Sequence, residues 1–142
     1  MKLLSIAVPC YNSQDYMRRA IDCLLVGGED VEVIIVDDGS KDDTARIGDE
    51  YARKYPSIVK CVHQENGGHG EAVNTGLKNA EGTFFKVLDS DDWFKEEAYL
   101  AVLRKLKELV RLGTVVDMFI CNFVYEKEGK KRKKVMTFGT AL

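Results

Sequence analysis

Proline is scarce in this chain of 142 residues, with two in total, and tryptophan occurs once. Scarcity of proline argues against a proline-rich linker or disordered tail. The twelve glycines follow no fixed period, which excludes collagen-like or solenoid repetition. Cys10, Cys23, Cys61 and Cys121 form no CxxC pair, and no histidine stands at zinc-finger spacing from them. Reduced thiols are expected, not a disulfide framework. Long hydrophobic runs are missing too. The apolar stretch Leu3 to Val8 is cut by Pro9, too short for a signal-peptide core of roughly 7 to 15 residues, and nothing approaches the roughly 20 apolar residues of a membrane span. These features together lead us to expect a cytoplasmic protein.

The chain also lacks a strong excess of charge. Its net charge is −2, which asks for neither nucleic acid nor an anionic surface. Basic residues do cluster locally, because Lys127 to Lys134 carries net +5. The simplest expectation there is a solvated hairpin. A lesser one is a peripheral contact of Lys130–Lys134 with the inner face of a membrane, at about 1 kcal/mol per basic residue.

What is present is 45% hydrophobic and 31% charged residues, enough apolar material for one folded domain over residues 1–142. Three short apolar runs, Leu3 to Val8, Val31 to Val36 and Thr83 to Leu88, each end in acidic or turn residues and read as buried strands. Between the first two, Asn12 or Ser13 is expected to cap a helix with Tyr16, Met17, Ala20, Ile21, Leu24 and Leu25 on its apolar face, stopped by Gly27 and Gly28. Thr44 is expected to cap a second helix, Ile58 to Val62 to form a third strand, and Glu71 to Asn79 a third helix. A longer helix over Glu96 to Leu112 ends at Gly113, and a hairpin over Asp117 to Tyr125 and Val135 to Phe138 turns near Gly129. Strands alternating with helices predict an α/β fold, a doubly wound and mostly parallel sheet with helices on both faces. Ligands of such sheets sit past the carboxyl ends of the strands, at the switch point.

Four polar clusters fall at those ends. Asp89, Ser90, Asp91 and Asp92 follow a strand directly, and several like charges in one place call for a counter-cation. Oxygen ligands favour Mg2+ or Mn2+. The plain alternative is a solvated turn in which Asp91 or Asp92 caps the next helix. Asp37, Asp38, Gly39 and Ser40 end the second strand; Asp38 suits a nucleobase imide or a ribose hydroxyl, or else merely begins an Asp-Gly turn. Tyr11, after Pro9 and Cys10 and before Asn12, offers a ring face for stacking a base. Asn66, Gly67, Gly68, His69 and Gly70 precede a helix whose amides suit a diphosphate, although the spacing is not a dinucleotide fingerprint. His69 is a weak ligand candidate and His63 a structural residue. Trp93 and Phe94 are expected to wedge the turn into the core.

Taken in order, Val8 to Asn12, Asp37 to Ser40, Asn66 to Gly76 and Asp89 to Asp92 resemble family 2 glycosyltransferases of the GT-A fold, from Leu3 to about Phe94. The resemblance implies transfer of a sugar from a nucleotide-diphosphate donor, commonly UDP-linked, to an acceptor hydroxyl with inversion. It implies that Pro9, Tyr11, Asn12, Asp38, Gly68, Asp89 and Ser90 bind the nucleotide sugar, with Tyr11 against the uracil and Asp38 on the base. Asp91, with Asp89, would hold Mn2+ or Mg2+ at the diphosphate. A glycan or lipid-linked acceptor, polysaccharide biosynthesis and a homodimer are further expectations. Many relatives carry Ala-Arg-Asn where this chain has Ala72, Val73 and Asn74, which leaves the donor sugar open. No general base is assignable, since no Asp or Glu follows Glu128 and the acceptor-binding part is expected beyond Leu142. Two competing readings stay open: a non-catalytic nucleotide-sugar binding module, and a Mg2+-dependent phosphotransferase or phosphatase, since Asp89 to Asp91 after a strand also looks like a phospho-aspartate nucleophile motif.

Overall fold

The structure, a computed structural model, describes residues 1–119 in full and the backbone of residues 123–125 and 134–136. Four parallel strands, β1 (Leu4–Cys10), β2 (Val31–Asp38), β3 (Val59–Gln64) and β4 (Phe84–Val87), make one sheet in the order β3-β2-β1-β4. The chain winds outward from β1 to β3 and then returns to place β4 on the other side of β1. The switch point therefore lies between β1 and β4, and ligands of such sheets bind beyond the carboxyl ends of the strands there.

Every residue of β1 and β2 is buried, as continuous apolar runs require of strands covered on both faces. On one face lies α3 (His69–Lys78), whose Ala72 packs with Ile34 and Val36. The opposite face carries α1 (Met17–Leu25) and α2 (Thr44–Lys54). These two are tied to each other by Tyr51 Oη donating to Asp22 at 2.6 Å and by Arg18 pairing with Glu50 at 3.3 Å. α4 (Glu96–Arg111) reaches the end of α1, where Tyr99 Oη donates to the Leu24 carbonyl at 2.9 Å. The doubly wound α/β expectation holds. Pro9 lies inside β1, not after it, and does so without loss. Since the Leu88 N–H donates to the Ala7 carbonyl, Pro9 turns its missing N–H to the β4 side, where pairing has already ended at Ala7 and Val87.

Local details differ from the sequence expectations. α1 starts at Met17 without a side-chain cap; the Ser13 carbonyl receives the Tyr16 and Met17 N–H groups, and Tyr16 is exposed. Thr44 does not cap α2 but begins it, its N–H received by Asp42 at 2.9 Å. Neither Asp91 nor Asp92 caps α4, which starts at Glu96. Trp93 is 38% exposed and stacks on the Arg19 guanidinium at 3.8 Å, while Phe94 leans on Tyr99.

Met1–Glu108 form one compact unit and Leu109–Leu142 a second. In the second, β5 (Phe123–Tyr125) and β6 (Lys134–Met136) pair antiparallel, as expected of a hairpin. Its turn near Gly129 and the basic residues 130–133 lie outside the described residues. Among the described residues, no helix is long and apolar enough to cross a membrane.

Candidate functional site

The loop after β1 is shaped by Asn12, which adopts a left-handed conformation (φ 49°). Its N–H donates to Ser40 Oγ at 3.0 Å and its Oδ1 accepts the Lys41 N–H at 2.8 Å. Both contacts fasten the β1 loop to the β2 loop. Tyr11 stays about half exposed beside this latch. Ser13, buried, accepts the Tyr11 N–H and shares a 2.8 Å hydrogen bond with Ser90 Oγ, joining the β1 loop to the β4 loop across the switch point.

Asp38 is 3% exposed, and its carboxylate faces the loop after β3. Oδ1 accepts from Gln64 Nε2 at 2.9 Å and the Gly67 N–H at 2.8 Å; Oδ2 accepts the Gly68 N–H at 3.0 Å. Burial alone would push its pKa up, but these three donors outweigh it and hold the carboxyl below the usual range. Glycine at 39 is required twice over. Its φ is +73°, and a Cβ there would stand 2.7 Å from the Asn66 amide nitrogen. Asp38 thus braces the glycine loop, a partner not anticipated from the Asp-Gly pattern.

The glycine loop runs into α3, with Gly68 at φ +93° and His69 as the first helical residue. His69 Nε2 meets Asp89 Oδ1 at 2.9 Å, linking the β3 loop to the β4 loop. With that contact the four loops close into a ring: β2 to β1, β1 to β4, β4 to β3, and β3 back to β2. In the β4 loop, Asp89, Asp91 and Asp92 bring one carboxylate oxygen each within 4.8 Å of one another, all exposed. Partial removal from water, then the charges of Asp91 and Asp89, raise the Asp92 pKa above the ordinary carboxylate range. A cluster that resists its own charge, built of hard oxygen donors and open to solvent, fits a divalent ion such as Mg2+ or Mn2+.

Sequence profiles agree with this geometry. The profile described as Glycosyl transferase family 2 matches residues 5–139. The chain belongs to that family. An uncharacterized glycosyltransferase of Rickettsia prowazekii, RP339, is 42% identical over 108 residues, covering 73% of this chain and 33% of that protein. The minor teichoic acid biosynthesis protein GgaB of Bacillus subtilis is 37% identical over 107 residues, 73% of this chain and 12% of GgaB. Among solved structures, residues 1–349 of S. aureus TarS in complex with UDP-GlcNAc superpose with a TM-score of 0.66 at 33% identity, covering 76% of this chain and 32% of that one. The chain therefore spans about a third or less of the length of these family 2 relatives.

Of the expected site residues, Tyr11, Asn12, Gly68, Asp89, Ser90 and Asp91 stand on the four interlocked loops, Asp38 is the last residue of β2, and Pro9 the penultimate residue of β1. Asp92 joins the carboxylate group as a third member, legible as the final acid of the Asp-Ser-Asp-Asp run. The roles of Ser13 and His69 in fastening the ring were not readable, because each is a contact between segments distant in the chain. His63, expected to be structural, lies on β3 with its Nδ1 held by Asp37 at 2.9 Å and its Nε2 by Asp49 at 2.7 Å.

Proposed function

We propose that this chain carries the donor-binding site of a cytoplasmic glycosyltransferase that transfers a hexosyl or N-acetylhexosaminyl group from a UDP-sugar to the hydroxyl of a glycan or lipid-linked acceptor. One observation carries the reading. Loops from four different strands lock into a single ring at the switch point of a family 2 fold, with Tyr11 on one loop and three carboxylates on another. Kinship with TarS, solved in complex with UDP-GlcNAc, supports a UDP-linked donor. The name of GgaB, a minor teichoic acid biosynthesis protein, supports polysaccharide biosynthesis as the setting. Free thiols at Cys10, Cys23 and Cys61 support a reducing compartment.

In this reading the Tyr11 ring lies against the base. Asp38, by taking the Gly67 and Gly68 N–H groups, holds the glycine loop in place so that the α3 N-terminus that follows it meets the diphosphate. Asp89, Asp91 and Asp92 would hold Mn2+ or Mg2+, which when bound offsets charge on the leaving diphosphate. His69 fixes the orientation of Asp89 from the opposite side. Calorimetry with UDP-GlcNAc, with and without Mn2+, tests the assignment. Metal-dependent heat is expected for the parent, and Asp91→Asn should weaken it about tenfold or more, each tenfold being about 1.4 kcal/mol. Equal, metal-independent heats in parent and variant would overturn it.

A further inference from the structure

A second cluster lies away from the ring, between α2 and the outer strand β3. Asp49, Cys61 and His63 place a carboxylate oxygen, a thiol sulfur and an imidazole nitrogen within 4.8 Å of one another. Their donor set differs in kind from that of the β4 loop, since sulfur and imidazole suit Zn2+-class ions where an all-carboxylate group suits Mg2+ or Mn2+. Cys61 and His63 are two apart on a strand, so both side chains point to the same face, and α2 supplies Asp49 above them. Gly48 makes the room. A Cβ at that position would stand 2.6 Å from Cys61 Sγ.

The spacing fits a bound ion. Zn–S of about 2.3 Å and Zn–N of about 2.0 Å at a tetrahedral angle put sulfur and nitrogen roughly 3.6 Å apart, and Cys61 Sγ is 3.8 Å from His63 Nε2. The other ring nitrogen, Nδ1, is held at 2.9 Å by Asp37, a residue 4% exposed. Carboxylate support of that kind orients metal-binding histidines and sets which nitrogen faces the ion. Asp49 sits 2.7 Å from Nε2, a hydrogen-bond distance, so a proton occupies the place an ion would take. A tetrahedral ion would hold that nitrogen and the carboxylate oxygen roughly 3.3 Å apart, and Asp49, exposed on α2, can draw back by the roughly 0.6 Å this takes.

We propose that Asp49, Cys61 and His63 form a Zn2+-class binding site, with water in the fourth position and Asp37 orienting His63. Binding exchanges protons for metal: the Cys61 thiol releases its proton to solvent, any proton on His63 Nε2 leaves with it, and the sulfur and Nε2 lone pairs become ligands. The site pins the edge strand to α2, and through Asp37, which also accepts the Ser40 N–H at 3.0 Å, it adjoins the β2 loop. It stands independently of the donor-site reading.

The test is titration of the reduced, metal-stripped chain with Co2+ and Zn2+ alone. One equivalent of Co2+ should give the intense visible bands of a tetrahedral ion and a thiolate-to-metal charge-transfer band. Cys61→Ser should abolish the charge-transfer band, and His63→Gln should weaken Zn2+ binding by about tenfold or more. Asp49→Asn, on an exposed position that leaves folding intact, should weaken Zn2+ binding as well, with Trp93 fluorescence reporting the fold. Asp91→Asn, which alters the separate carboxylate group of the β4 loop, should leave the thiolate-to-metal charge-transfer band in place. A Co2+ complex without the thiolate band, or Zn2+ affinity equal to the parent in Cys61→Ser and Asp49→Asn, would overturn the site.

Discussion

Asp38→Ala separates two roles that the Asp-Gly pattern alone leaves confounded. If Asp38 served only to touch a nucleobase, removing it would leave the ligand-free protein as stable as before. The structure instead shows three donors converging on its buried carboxylate, from Gln64, Gly67 and Gly68. Hydrogen bonds to a charged acceptor contribute about 1.5–3 kcal/mol each. Gly67 and Gly68 are exposed, so their N–H groups recover water after the deletion, and Gln64 is only partly buried. That recovery brings the net cost down to about 2–4 kcal/mol for the three together. Asp38→Asn, which keeps one oxygen but turns an amide toward backbone donors, should cost about half as much. Urea unfolding without nucleotide measures this directly, followed by Trp93, the single tryptophan, which stacks on Arg19 within the same compact unit. A shift below about 0.5 kcal/mol, the usual size for an innocent surface change, would refute the bracing role. Loss of UDP affinity at unchanged stability would return Asp38 to the base.

Other outcomes follow from separate parts of the molecule. Gly76→Ala places a Cβ 2.5 Å from the Ala7 Cβ, on the fully buried strand β1; the overpacking should exceed the roughly 1 kcal/mol that alanine adds to helix propensity, so thermal melting should fall, and a rise would contradict the packing. Tyr11→Ala should leave stability unchanged, the ring being half exposed, and weaken UDP binding by about 1–3 kcal/mol, read by calorimetry. At the opposite end of the sheet, Glu32 receives Ser5 Oγ at 2.8 Å, the Glu81 N–H at 2.9 Å and Lys60 Nζ at 3.0 Å. Burial pushes the Glu32 pKa up, but these partners outweigh it and hold it below the usual range. A depressed carboxyl pKa adds stability above the unfolded value, near 4.3, and loses it as pH falls through the folded value. The parent should therefore lose stability on acidification below about pH 4.5 more steeply than Glu32→Gln, and parallel denaturation curves in the two proteins would exclude this contribution.

The parts legible from sequence and the parts hidden from it divide along a physical line. Strands β1 and β2 announce themselves because both faces are covered, so their residues are apolar without alternation. The acidic and glycine clusters fall at one rim because crossover connections make the four strands parallel, so that all of them end on the same side of the sheet. Helix starts were missed wherever the side chain suited to capping was engaged elsewhere. Ser13 Oγ accepts the Tyr11 N–H and shares a hydrogen bond with Ser90 Oγ, and Thr44 Oγ1 accepts the Ser13 N–H. These residues serve the junctions between loops, and a cap assignment read from neighbours in sequence cannot see a partner 31 or 77 residues away. The same holds for Asp37, His63 and Asp49, which no spacing rule groups together. Asp37 and His63 become neighbours only because β2 and β3 pair in that register, and Asp49 joins them only because α2 crosses above the same face. Local pattern therefore predicts which residues reach the rim, while pairing register decides which of them meet. Substitutions that shift the β2–β3 register should for that reason disrupt the Asp49, Cys61 and His63 cluster and the Asp38 brace together, since both are built across that one strand pair.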